Sequence, residues 1–276
     1  MIPARSNVVL IDRTESSAVE SFGRIPRIEA RNLAKHYRTS GGCLVEALQD
    51  VSVTIRPGEF VALLGPSGCG KSTLLNLISG LDSPSSGGVL FDGKPRGRPD
   101  TTVAFCSQEP ALFPWRTVLG NITIALQAMG ISGKPAAEAA RESAAAVGLS
   151  GFLDAYPKTL SGGMKQRAVL ARAVAMQAPV LVFDEPFAAL DAFSRDAMQE
   201  LVLRLYVQRA FTCILVTHSI EEALFMAQRI ILMAPRPSRV VSEVVVDANY
   251  PRDFSWRTSE RLVRERQKIH QLLSAQ

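Results

Sequence analysis

A chain of 276 residues, 47% hydrophobic and with a formal net charge of +5, holds enough apolar material for one large domain or two modest ones. Its apolar runs, such as 180–183 and 214–216, are strand-sized and fall far short of the roughly 18 residues that cross a membrane, so a soluble protein is expected. The only N-terminal apolar run, 8–11, lies among Arg5, Asp12, Arg13, Glu15 and Glu20 and is too short for a secretory leader, which points to the cytoplasm.

In chain order, residues 1–24 are polar and charged without sustained periodicity and read as a flexible extension outside the fold. The main domain is expected over 25–250. From Ile28 onward, β-rich runs at 51–55, 60–64, 89–91 and 102–105 alternate with turns such as Arg56-Pro57-Gly58, which predicts a β-rich N-terminal region. Between Pro110 and Leu160 the sequence becomes Ala-rich, most clearly over 136–147, and a helical insert over about 110–165 is expected. Beyond Gly163, helix 164–177, strand 180–183, helix 195–208 and strand 213–217 succeed one another. Strands apolar throughout and separated by helices predict a parallel sheet covered on both faces. In the C-terminal segment 251–276, Leu262, Val263, Ile269, Leu272 and Leu273 recur at near-helical spacing, as in an amphipathic helix packed on the body.

The four cysteines, Cys43, Cys69, Cys106 and Cys213, are widely spaced without a CxxC pair, as expected of reduced thiols rather than a disulfide framework or a zinc site. Lysine and arginine are spread along the chain apart from 257–268, so the positive charge reads as solvated surface rather than a nucleic-acid footprint.

Gly65-Pro66-Ser67-Gly68-Cys69-Gly70-Lys71-Ser72 fits the P-loop pattern directly after a predicted strand and directly before an apolar helix that Thr73 continues. Its glycines let consecutive N–H groups wrap a polyphosphate, Lys71 reaches the outer phosphates, and Ser72 can hold Mg²⁺. The buried strand 180–183 ends in Asp184 and Glu185, at the end of such a strand where ligands bind in open α/β sheets. Asp184 suits Mg²⁺ and Glu185 suits a general base toward water. Leu160-Ser161-Gly162-Gly163-Met164-Lys165-Gln166-Arg167 opens the helix expected at 164–177 and offers free N–H groups to a phosphate.

An ordinary capped helix would account for that last segment locally, but its place between the P-loop and the Asp184 strand makes it resemble the signature of the ATP-binding-cassette family. The resemblance covers residues 28–233. It implies an α/β fold: a P-loop NTPase core with a mostly parallel sheet, an N-terminal antiparallel β subdomain and a small inserted α-helical subdomain. It also implies ATP and Mg²⁺, with Gly65, Pro66, Ser67, Gly68, Cys69, Gly70, Lys71, Ser72 and Thr73 around the nucleotide. Gln108 matches the Q-loop glutamine and would join Ser72 and Asp184 on Mg²⁺. Ala189-Leu190-Asp191 matches the D-loop, and His218 the switch histidine that joins Glu185 and Lys71 in catalysis. Tyr37 matches the aromatic that stacks on adenine. Two chains are implied head to tail, a homodimer in which Ser161, Gly162, Gly163 and Gln166 address nucleotide held by the partner. Ser219 and Gln228 stand where the family commonly has Asp, and changed local hydrogen bonding is expected there.

Pro186-Phe187, the run from Gln108 to Val118 and Met233-Ala234-Pro235-Arg236-Pro237 look like the nitrate, sulfonate and taurine importers. That group implies a separate transmembrane permease, an extracytoplasmic solute-binding protein and a peripheral location at the cytoplasmic face of the inner membrane, with no nucleic acid. Phe113 and Trp115 fit either a groove that receives a permease helix or the core of the helical insert. Two rivals fit less well: a chromosome-maintenance ATPase needs a long coiled coil for which 72–160 leaves no room, and a translation-associated cassette protein carries two cassettes per chain.

Overall fold

A computed structural model describes residues 8–9, 25, 27–38, 41–209, 211–250 and 252–274. The chain divides into two compact units, one formed by Met1–Pro99 with Thr212–Gln276 and the other by the residues between them, 100–211. The first unit opens with β1 (Val8–Val9), β2 (Ile28–Arg38), β3 (Leu44–Ile55), β4 (Phe60–Leu64), α1 (Lys71–Ser79), β5 (Ser86–Phe91) and β6 (Lys94–Pro95). The second contains β7 (Val103–Cys106), α2 (Val118–Ala128), α3 (Gly133–Ala146), α4 (Gly162–Ala175), β8 (Val180–Asp184) and α5 (Ala192–Arg209). The chain then returns to the first unit with β9 (Thr212–Thr217), α6 (Ile220–Met226), β10 (Arg229–Met233), β11 (Val240–Val245), α7 (Phe254–Arg257) and α8 (Glu260–Ser274).

In the first unit β4 pairs in parallel with β9 on one side and β10 on the other, and β11 follows antiparallel to β10. Every residue of β4 and β9 is buried, which is why β4 and the 213–216 core of β9 read as continuous apolar runs rather than as alternating patterns. Of the extension expected at 1–24, only Val8–Val9 lie among the described residues, and they pair in parallel with Glu243 and Val244 of β11. A second, antiparallel sheet has the order β3-β2-β5-β6. In β3, Val51, Val53 and Ile55 are buried while Ser52 and Thr54 are exposed, the alternation of a sheet wet on one face.

β3 is longer than the strand expected at 51–55. The β2–β3 register shifts repeatedly, and Asn32 and Asp50 take φ of 47° and 50° there. Their side chains meet at 2.8 Å, so the bulge is pinned by the two residues in the left-handed conformation that Asn and Asp tolerate best.

In the second unit β7 and β8 run parallel, with Cys106 opposite Phe183, and α2, α3 and α4 pack on one another as a helical cluster. α4 ends two residues before the predicted 177 because Gln177 turns left-handed at φ 49°. In the first unit α8 packs on α6 and buries Leu262, Glu265 and Ile269, while Val263 faces out. Among the described residues no helix is long and apolar enough to cross a membrane.

The start of β10 is held by charge. Arg229 grips Glu59 through Nε (2.7 Å) and Nη2 (3.0 Å), Glu243 through Nη1 (2.7 Å) and the Thr54 carbonyl through Nη2 (2.5 Å). Burial works against the guanidinium's charge, but the two carboxylates outweigh it and raise its pKa. Arg229→Met would leave two carboxylates facing each other without a cation, so a loss of about 3–5 kcal/mol is expected in urea unfolding. Arg229→Lys, which keeps the charge without the fork, should lose less.

Candidate nucleotide-binding site

In the first unit the loop 65–70 leaves β4 and enters α1. Leu64 is opposite Thr217, so the loop and His218, the exposed residue after β9, emerge at the same end of that strand pair. A Cβ on Gly65 would stand 2.7 Å from the Met233 carbonyl oxygen, and one on Gly70, whose φ is 105°, would stand 2.9 Å from the Ala47 carbonyl oxygen. The loop is thus backed closely by β10 and β3 and accepts only glycine at these two positions. Lys71 is 4% exposed, and its Nζ donates to the carbonyls of Gly65 (2.8 Å) and Pro66 (2.9 Å), which holds the cation inside the loop. Pro66, Ser67, Gly68 and Ser72 are exposed at the mouth. No acidic side chain lies in the first turn of α1, so its positive end is left for an anion.

Tyr37 sits at the far end of β2, 38% exposed, with its hydroxyl donating to Asp82 Oδ2 at 2.9 Å. Both positions that depart from the family pattern carry local hydrogen bonds. Ser219 caps α6, accepting from the Glu222 amide at 3.2 Å, and Gln228 Oε1 accepts from the Phe60 amide at 3.1 Å.

In the second unit the parallel β7–β8 pair brings Gln108 and the Asp184-Glu185 dipeptide out at one end. Glu185 adopts φ 46°, a conformation uncommon for a residue with a side chain. Ser161 caps α4, its Oγ accepting from the Met164 amide at 3.3 Å. Asp191 accepts from the Ser194 amide at 3.0 Å, and the bonds from Ser194 hold its carboxyl below the usual carboxylate range. Asp191 is therefore an N-terminal cap for α5.

Gln166, expected to address the partner's nucleotide, is 2% exposed within its own chain, and its Nε2 donates to the Gln108 carbonyl at 2.7 Å. One turn and a half further along α4, Arg172 donates to the Ala111 carbonyl at 2.7 Å. Three positions past Gly163, the buried Gln166 side chain reaches the backbone at Gln108 rather than solvent. Gln166 is thus a tie between α4 and the segment that carries Gln108.

Asn121 is the site residue that the sequence reading missed. Fully buried in α2, it accepts from the Phe113 amide at 2.7 Å and donates to the carbonyls of Phe113, Arg116 and Thr117 at 3.0–3.1 Å. An Asn within the mostly apolar stretch 118–126 was the available signal. It fixes the turn that presents Trp115, 70% exposed, with its ring 5.5 Å from that of Phe113. Trp115 is therefore surface, not core of the insert.

All four cysteines are free thiols. Burial pushes the Cys106 thiol up to about 12, only slightly offset by Arg172, so it stays protonated and inert.

A glycine loop that threads its lysine inward, opens a helix and leaves a parallel strand beside a histidine defines a P-loop nucleotide-binding protein. The sequence profile of the ABC transporter family matches residues 48–188. The taurine import ATP-binding protein of Chromobacterium violaceum is 46% identical over 195 residues, 71% of this chain and 75% of its own length. The aliphatic sulfonates import ATP-binding protein of Bacillus thuringiensis subsp. konkukian is 37% identical over 244 residues, 88% and 94% of the two chains. Among solved structures, a dimeric ATP-binding cassette in a post-hydrolysis state with ADP and phosphate superposes with a TM-score of 0.71 at 31% identity, covering 80% of this chain and all of that one. The chain belongs to the ABC transporter family and is an ATPase of that class, with the P-loop NTPase fold.

Proposed function

We propose that the chain energises uptake of a small sulfonate, taurine or a related solute such as nitrate through a separate permease, working as a homodimer at the cytoplasmic face of the membrane with an extracytoplasmic binding protein. The observation that carries the composite site is the first turn of α4. Among the described residues nothing lies within 4 Å of a Cβ built on Gly162, and a Cβ on Gly163 would make only ordinary contacts with Ser194 at 3.7 Å. Neither glycine has a positive φ. Within its own chain, then, nothing requires two residues that weaken a helix by up to about 1 kcal/mol each relative to alanine. A ligand that approaches the backbone does require them, and the helix start suits a phosphate. Dimeric relatives of known structure support the reading that this phosphate belongs to the partner's nucleotide.

In that arrangement Lys71, His218 and the partner subunit's Ser161 stabilise charge developing on the γ-phosphate, and Glu185 draws the proton from the attacking water. Ser72, Gln108 and Asp184 present the hard oxygen ligands that Mg²⁺ prefers, and one carboxylate with substrate phosphates is its usual complement. The ion would neutralise phosphate charge.

Trp115 is the proposed permease contact: a large exposed aromatic, rigidly presented by Asn121, is the residue type that anchors an interface. Trp115→Ala is expected to leave ATP affinity and unfolding midpoint unchanged while lowering permease-stimulated ATPase at least about tenfold, since such anchors contribute about 2 kcal/mol or more. Full stimulation in that variant would remove Trp115 from the contact. The function itself is tested by ATPase and uptake of the reconstituted complex across sulfonates, taurine and nitrate; no stimulation by any of them would overturn the assignment.

A further inference from the structure

Lys35, Tyr37 and Asp82 form a closed cluster in the first unit that no catalytic role uses. The Tyr37 hydroxyl donates to Asp82 Oδ2 at 2.9 Å, while Lys35 Nζ donates to Asp82 Oδ1 at 2.6 Å and to the Ser83 carbonyl at 2.7 Å. The same ammonium lies 4.9 Å from the centroid of the Tyr37 ring, within the range of a cation–π contact. The Ser83 amide donates to Asp82 Oδ1 at 2.7 Å, closing the turn after α1 around the carboxylate. Tyr37 is thereby held at its edge and beside its ring, yet remains 38% exposed.

We propose that Asp82 and Lys35 are positioning residues that fix the Tyr37 ring beside the P-loop helix as a platform for the flat base of the nucleotide. This rests on the assignment of Tyr37 to the base. The side chains of the platform come from two places in the chain, 35–37 at the end of β2 and 82–83 after α1, and both adjoin the helix that carries the phosphate-binding residues. An exposed tyrosine at a strand end would otherwise change rotamer on the picosecond to nanosecond scale, and a base stacking on it would have to immobilise the ring. The Lys35 ammonium beside it holds the Asp82 carboxyl below the usual carboxylate range, with the Tyr37 bond adding to the effect. Asp82 is accordingly ionised at neutral pH and accepts from both partners at once. Ring immobilisation of this size is equivalent to about a 3- to 10-fold change in dissociation constant.

The test compares equilibrium binding of Mg·ATP with binding of inorganic tripolyphosphate, which has the phosphates but no base, by titration calorimetry on the full chain. Tyr37→Phe keeps the ring and loses only the bond to Asp82. It is expected to weaken ATP about 3- to 10-fold and leave tripolyphosphate as in the parent, and Asp82→Ala and Lys35→Met should do the same. Tyr37→Ala should weaken ATP more than any of them. If Tyr37→Ala weakens ATP but Tyr37→Phe and Asp82→Ala bind it normally, the clamp is wrong and the platform stands. If Tyr37→Ala itself binds ATP normally, both fall. Equal weakening of ATP and tripolyphosphate in Asp82→Ala would make the cluster a support of the P-loop instead and overturn the proposal.

Discussion

Gly163→Ala is expected to remove most ATP hydrolysis while leaving the protein as stable as before or slightly more so. The usual reason for an irreplaceable glycine is visible within the chain, as at Gly70, where a Cβ would stand 2.9 Å from a carbonyl oxygen at φ 105°. Gly163 has no such reason: a Cβ there would sit 3.7 Å from Ser194, an ordinary contact, and alanine in a helix is favoured by up to about 1 kcal/mol. Stability and activity should therefore move in opposite directions. In the proposed composite site the added methyl group would stand where a phosphate of the partner's nucleotide approaches the first N–H groups of α4, and loss of donors aimed at developing charge typically lowers turnover about 10²–10³-fold. Gly162→Ala should behave alike, since the described residues leave open space around it. The readouts are the urea midpoint and steady-state ATPase at saturating ATP. A variant that hydrolyses ATP normally, or one that is destabilised by more than about 1 kcal/mol, would show that the glycines serve their own chain.

How much of this was legible in the sequence depends on the range of the interaction concerned. β4, β8 and β9 were legible because strands buried on both faces carry continuous apolar runs in place of an alternating pattern, and the P-loop was legible because a strand, a glycine run and a helix follow one another without interruption. The full length of β3 was not, because the bulge at Asn32 and Asp50 breaks the period of two on which strand reading depends. Gln166 was assigned from its place in a motif, whereas its burial and its bond to Gln108, 58 positions earlier, belong to tertiary packing. The same holds for the Lys35–Asp82 pair, 47 positions apart, and for Arg229 with Glu59, 170 apart. Local pattern marks where phosphate chemistry can occur; it is silent on which polar side chains hold that chemistry in place.

Glu185→Gln is the substitution with the largest expected effect on turnover, and the backbone gives a reason why it should act on chemistry alone. β8 ends at Asp184, and in a continuing strand the next side chain would point to the opposite face. At φ 46° Glu185 leaves that alternation, which on the proposed reading frees Asp184 for the metal and Glu185 for the water at one nucleotide. The left-handed conformation costs a residue with a Cβ about 1–2 kcal/mol, and Pro186 on its C-terminal side biases it toward extended backbone instead. What holds it there is local: Phe187 is fully buried, and the Ala188 amide donates to the Glu185 carbonyl at 3.2 Å. Glutamine keeps the shape and the strain and removes only the base, so ATP binding and stability should persist, ATPase should fall about 10²–10⁴-fold, and the ATP-bound dimer should outlast that of the parent in size-exclusion chromatography. Glycine should lose the same activity yet unfold no more easily, because relief of the left-handed strain offsets the added backbone entropy of about 0.5–1 kcal/mol. Turnover near the parental rate in the glutamine variant would remove Glu185 as the base, and a glycine variant markedly less stable than the glutamine one would show that the turn is not strained.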